Sequence, residues 1–169
     1  DSLYCDLPKS EKRKSSITVL NVLLNSLLRW FAPIISFTTE EIYQLVSKKN
    51  KSIHLENFLD FPKKFENKEL SKKWSELIKI RDVCNISIEE KRASKEIGSS
   101  LEAELKIKIN KKYKEILSNI DLSELCIVSK NDITFDEQSD ILVETKKASG
   151  NKCPVCWKIS VEPCERHPQ

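Results

Sequence analysis

The sequence predicts a mainly α chain in three parts. A helical bundle occupies residues 1–98, a small α+β unit of order β-α-β-β occupies 99–147, and a Cys/His knuckle occupies 148–169. Three observations carry this division. Apolar residues recur with helical period through most of the first hundred positions. At Leu101 the pattern switches to period two. Beyond Gly150, cysteine and histidine fall in two closely spaced pairs.

Ile17, Leu20, Leu24, Leu27, Leu28, Phe31 and Ile35 follow the 3.6-residue period, so a helix is expected over 9–37. Ser10 is its N-cap, and Pro33 ends or kinks it near Ala32. Thr38 and Glu41 have the spacing of a capping box for a second helix running to about Ser47. Lys48 to Lys51 is a polar loop, and residues 52–66 are irregular. A long helix is expected from about Glu69 to Glu96, with an apolar stripe of Leu70, Trp74, Leu77, Ile78, Cys84 and Ile88. Arg81 falls on that stripe, and Trp74 reads as core. Gly98 suits the left-handed position that follows a helix.

Leu101, Ala103, Leu105, Ile107 and Ile109 alternate with charged residues, which is the signature of a half-buried strand. Asn110 can cap a short helix over 111–118. Leu125–Val128, Ile133–Phe135 and Ile141–Glu144 read as further strands, and Lys146–Lys152 as a linker.

Composition narrows the function less. The net charge is +3 although 33% of the residues are charged, so bulk charge does not argue for a polyanionic partner. The tail differs: residues 146–169 hold five basic and two acidic residues. The most apolar stretch, Ile17–Phe37, is interrupted by Asn21, Asn25, Ser26 and Arg29 and is too polar to span a bilayer. A cytoplasmic protein without membrane partners is expected. Methionine is absent and the chain begins at Asp1, which points to part of a longer protein or to a processed end.

The tail carries the strongest chemical signal. Cys153 and Cys156 form one Cys-x-x-Cys pair, and Cys164 and His167 a second pair after a seven-residue spacer. Zinc takes four tetrahedral Cys and His ligands in closed structural sites, and a Cys-x-x-Cys turn places two sulfurs on one side of a metal. One structural Zn2+ per chain is expected on Cys153, Cys156, Cys164 and His167. His167 is the least secure donor, with Glu165 or water as substitutes. Three clustered cysteines cannot all pair within the tail, and such a short tail depends on its metal to fold. Trp157 either packs over the zinc loops or stacks on an unpaired base.

Several segments, in order, resemble bacterial isoleucyl-tRNA synthetases. They are Asp1–Asp6, Thr18–Leu20, Leu28–Ile34, Ser36–Ile42, Ser52–Glu56, Arg81 with Val83, Lys95–Ala103, and Lys152–Lys158. The resemblance covers nearly the whole chain. It implies the C-terminal, tRNA-holding part of a ligase that joins isoleucine to its tRNA using ATP: a helical anticodon-binding domain, a junction unit and a zinc module. The implied partners are tRNA(Ile) and the catalytic and editing domains of the same parent chain, with a monomer expected. The family's His-x-Gly-His and Lys-Met-Ser-Lys-Ser signatures are absent from these 169 residues, so the chain alone is expected not to be an enzyme. Its short zinc loop, with His167 as fourth donor, departs from the Cys that many members use.

If the chain grips tRNA, cations should meet phosphates and aromatics should stack on bases. The candidates are Arg81, Arg92, Lys95, Lys152, Trp157, Lys158 and Arg166. For each cation the alternative is a solvated face. Two rival functions remain. His54-Leu55-Glu56 with Pro163-Cys164 mimics the zinc deaminase pattern, but leaves Cys153 and Cys156 without a role. A free-standing zinc-containing RNA- or protein-binding module is the stronger alternative.

Overall fold

Ser10 stands at the head of the first helix with its hydroxyl accepting from the Arg13 amide, as an N-cap does. In the computed structural model, which describes residues 3–47, 51–137, 140–164 and 166–167, this helix, α1, spans Glu11–Phe31. It stops where Pro33 requires. Helix α2 covers Ser36–Val46. Its N-cap is Ile35, with no side-chain hydrogen bond, so the Thr38–Glu41 capping box is not formed. The turn out of α1, where Ile34 and Ile35 both donate to Phe31 O, already starts α2 at Ser36 and places Thr38 inside it. Most of the expected polar loop, residues 48–50, lies outside the described residues, as does Glu165.

Residues 1–66 form one compact unit, and residues 67–169 the other. In the first, Leu28, Ala32, Tyr43 and Ile53 are buried together. Glu40 ties the following segment back: it accepts from Gln44 Nε2 at 2.7 Å, Ser52 Oγ at 2.8 Å and the Ile53 amide at 2.9 Å. Arg29 does the same for the next turn. It donates to Glu56 Oε2 at 3.0 Å and to Asn57 O at 2.9 Å, while Tyr43 donates its hydroxyl to Glu56 Oε1 at 3.1 Å. The expected irregular stretch contains two 3-10 turns, Ile53–Leu55 and Lys63–Phe65.

Helix α3, Lys68–Ala93, opens the second unit, capped by Asn67. It packs on a sheet of order β2-β1-β3 built from β1 (Ala103–Asn110), β2 (Lys130–Asp136) and β3 (Ile141–Lys147). Strand β1 runs parallel to β2 and antiparallel to β3, with Ile107 opposite both Ile133 and Val143. A parallel neighbour requires a long crossover. Two short helices supply it: α4 (Lys114–Leu117), preceded by the Asn110-capped turn Lys111–Tyr113, and α5 (Leu122–Leu125). The alternation of β1 buries Ala103, Leu105, Ile107 and Ile109, as its sequence pattern demands.

The expected division after residue 98 and these compact units therefore differ. The long helix joins the sheet because its buried stripe, Leu77, Ile80, Cys84 and Ile88, enters the same core as β1. Ser87 adds a hydroxyl contact of 2.7 Å with the buried Thr145 of β3. Ile80, rather than Arg81, occupies the stripe, and Arg81 is exposed. Leu70, Trp74 and Ile78 are also exposed, at 42–49%. The sheet-facing part of α3 begins only at Leu77.

Two other expectations change. Residues 125–128 form no strand. Asp121 caps α5, and the chain then closes with Ile127 donating to Glu124 O and Val128 to Ser123 O, Ile127 taking φ +56°. This paired closure ends a helix and satisfies its last carbonyls. It also drops Cys126 and Val128 into the core. The same closure ends α3, where Lys95 donates to Arg92 O and Glu96 to Lys91 O. The left-handed residue there is Lys95, at φ +61°, and not Gly98, whose amide instead donates to Glu102 Oε2.

Among the described residues, no helix is long and apolar enough to cross a membrane.

Candidate metal centre and tail surface

Strand β3 continues to Lys147, so the linker before the tail shortens to residues 148–150. Gly150 turns the chain at φ +123°, a conformation open to glycine. A Cβ there would lie 2.1 Å from Ser160 O. That close approach lets β4 (Asn151–Lys152) pair with β5 (Ile159–Ser160) as an antiparallel ribbon. The Cys-x-x-Cys turn is the tip of this ribbon. Cys153 N donates to Lys158 O at 2.9 Å, and Trp157 N to Cys153 O at 3.0 Å.

Cys164 and His167 return to this tip through a turn in which the His167 amide donates to Cys164 O. The four donor atoms of Cys153, Cys156, Cys164 and His167 lie within 4.8 Å of one another. Cys156 Sγ and Cys164 Sγ are 3.6 Å apart, and His167 Nδ1 is 3.7 Å from Cys153 Sγ and 3.5 Å from Cys164 Sγ. Tetrahedral ligands bonded at ~2.3 Å through sulfur and ~2.0 Å through nitrogen stand roughly 3.5–3.8 Å apart. The donor set and its spacing therefore fit a metal ion held by three thiolates and one imidazole.

The thiols are prepared unequally. The backbone amides of Cys156 and Val155 are directed at Cys153 and lower its thiol to about 6. Burial raises Cys156 to about 11. Burial also opposes ionisation of Cys164, but hydrogen bonds from His167 and Cys156 outweigh it and bring Cys164 downward. A cation among them would favour all three thiolates.

Beside the candidate metal centre, Lys152 Nζ sits 4.9 Å from the centre of the Trp157 ring. Trp157 is 58% exposed at φ +65°, so it does not pack away over the loops. Lys158 is half-buried. The other predicted contacts are dispersed. Arg81 is exposed on α3, where its charge helps to lower the neighbouring Cys126 thiol, although the hydrogen bond from Cys84 contributes more. Arg92 pairs with Glu89 at 2.6 Å and lines a shallow depression with Lys95. Arg166 is half-buried and donates to Glu124 Oε1 at 2.8 Å. Glu124 and Ser129, which meet the tail, carry no signal in the sequence; only the fold brings them there.

The tail alone accounts for Cys153 and Cys156, which the deaminase-like pattern leaves without a role: among the described residues, all four clustered donors come from the tail. His54 lies exposed in the turn Ile53–Leu55.

Comparison with known proteins agrees with this picture. The chain is 60% identical to the isoleucine–tRNA ligase of Pelagibacter ubique over 167 residues, which is 99% of this chain and 18% of that protein. It is 38% identical to the isoleucine–tRNA ligase of Bartonella quintana across 95% of its length. With that of Methylacidiphilum infernorum the identity is 40%, again across 95%. The chain spans less than a fifth of the length of these relatives. A family profile described as the anticodon-binding domain of tRNA ligase matches residues 1–109, running through α1, α2, α3 and almost all of β1. The chain thus belongs to the family of anticodon-binding domains of tRNA ligases.

Proposed function

We propose that this chain is the tRNA-gripping region of an isoleucine–tRNA ligase, that it holds tRNA(Ile), and that its Cys/His ribbon is closed by one Zn2+. The ion would be structural: four protein donors leave no open position for water. Its chemistry is to hold three thiolates and an imidazole together, and so to fix the tip that presents Trp157. Activation of isoleucine with ATP, and editing, would belong to other domains of the longer parent chain. That parent is read as a cytoplasmic monomer without membrane partners. The helical unit, the small α+β unit and the zinc knuckle would together form its tRNA-facing arm.

The observation that carries this reading is the exposed Trp157 ring with Lys152 against it, at the tip of the metal ribbon of an anticodon-binding chain. One ring face is available to a base, and the ammonium beside it is placed for a phosphate. Arg81, Arg92, Lys95 and Lys158 would add phosphate contacts. Arg166 is the weakest candidate, because Glu124 already engages it. A free-standing module is disfavoured, since the likeness to much longer ligases runs through 99% of the chain.

The test is titration of the zinc-loaded chain with tRNA(Ile) and a non-cognate tRNA. Trp157→Ala should weaken binding by about 1–3 kcal/mol, as loss of one stacked base does. Trp157→Phe should retain most of it. Binding that is indifferent to Trp157 and to salt would refute the reading.

A further inference from the structure

The segment 121–129 and the metal ribbon meet at two places. Arg166 lies between the donors Cys164 and His167, and it reaches Glu124 Oε1 at 2.8 Å. The two side chains are only 24% and 26% exposed, so the pair is partly withdrawn from water. Five residues after Glu124, Ser129 forms the second contact. Its hydroxyl accepts from the Ile159 amide of β5 at 2.6 Å and donates to Leu101 O. Strand β5 and the Cys164–His167 turn are therefore both fastened to the segment that leads into β2.

That segment is itself rigid. Asp121 caps α5 through the Ser123 amide, and the closure at Ile127 anchors Cys126 and Val128 in the core. Glu124 and Ser129 are thus presented from a fixed platform, whereas the Cys164–His167 turn has no core of its own.

We infer that Glu124 and Ser129 form a dock for the metal ribbon, and that Glu124, through Arg166, is a positioning residue for the metal it does not touch. The inference rests on the metal-site reading above. A metal that gathers Cys164 and His167 fixes the backbone on either side of Arg166 and so orders its side chain toward Glu124. Coupling of this kind is reciprocal. Whatever the metal adds to the Arg166–Glu124 contact, that contact adds to metal affinity.

The experiment is a zinc competition titration of the full 169-residue chain against a chromophoric chelator. Glu124→Gln should lower zinc affinity roughly five- to tenfold, in the range of ordinary coupling between sites. Arg166→Ala should lower it by at least that factor. The double variant should lose less than the two single losses combined, because both remove the shared Arg166–Glu124 contact. Ser129→Ala should add an independent loss. Glu137→Gln, at the exposed Lys111 pair, should leave affinity unchanged. Amide spectra of β1 and α3 report whether each variant stays folded. Additive losses for Glu124→Gln and Arg166→Ala, or an unchanged affinity in Glu124→Gln with one zinc still bound, would overturn the dock. Failure of the unaltered chain to bind zinc would instead overturn the metal-site reading, and the dock with it.

Discussion

Residues 1–66 and residues 67–169 divide their apolar side chains in opposite ways. The longer unit gathers thirteen buried residues into one core around β1 and α3. The shorter buries four: Leu28, Ala32, Tyr43 and Ile53. Yet, among the described residues, it carries eighteen of the twenty-seven large apolar side chains that stand exposed. On α1 alone, Val19, Leu20, Val22, Leu23, Leu27, Trp30 and Phe31 are exposed although Leu28 is buried. A helix that is apolar around most of its circumference belongs inside a larger assembly. The contrast separates a unit that completes its own core from one that leaves most of its large apolar side chains at the surface.

The largest effect that sharpens this contrast is expected in the second unit. Ile107→Ala, at the centre of the sheet, should cost about 4 kcal/mol in urea unfolding, the range for a core cavity that cannot collapse. Leu28→Ala should cost about half as much, because its surroundings are open. Equal losses would break the comparison.

Next is the polar tie of the first unit. Arg29 is 9% exposed and Glu56 21%, so removing one charge leaves the other poorly solvated. Arg29→Ala should lower stability by about 2 kcal/mol, measured as loss of amide protection at Ile53 and Leu55. Unchanged protection would mean that the small apolar cluster holds this unit without its ion pair.

Smaller gains are expected at the two helix closures of the second unit. Ile127 and Lys95 hold left-handed conformations that favour glycine. Ile127→Gly and Lys95→Gly should each raise stability by about 1 kcal/mol, with the larger gain at the β-branched Ile127. A loss at Ile127 would show that its side chain, although the residue is 43% exposed, packs well enough to offset the strain.

The smallest effect is electrostatic. Hydrogen bonds from Gln44 and Ser52, with a smaller one from the Ile53 amide, hold the Glu40 carboxyl below its ordinary value of 4.5. A depressed carboxyl stabilises the fold above its unfolded value, and the gain is lost as pH falls through the folded one. Melting of Glu40→Gln should therefore begin below that of the unaltered chain at neutral pH. The gap should close as pH drops beneath 4.5. A constant gap would deny the ionised carboxylate its role.

How much was legible depended on how local the cause was. Strand β1 was readable because alternation over Ala103–Ile109 has one physical solution. The candidate metal centre was readable because Cys-x-x-Cys and Cys-x-x-His bring their own geometry. The stretch 125–128 misled because Cys-Ile-Val has strand character by itself. The Asp121 cap and the core positions of Cys126 and Val128 override that preference. Trp74 misled for a related reason. Period 3.6 defines a stripe along α3, but not where the sheet beneath it begins.

The sequence by itself therefore determined the helical start, the period-two strand, the donors of the candidate metal site and the kinship with anticodon-binding domains. Each is written in neighbouring residues or in an ordered run of them. Only the tertiary structure decided that α3 belongs with the sheet, that Ile80 rather than Arg81 is buried, and that Glu124 and Ser129 meet the Cys/His ribbon. Those pairings join residues 30–60 positions apart. The free energy of such contacts comes from burial and from charges drawn out of water, and no short window of sequence contains both partners.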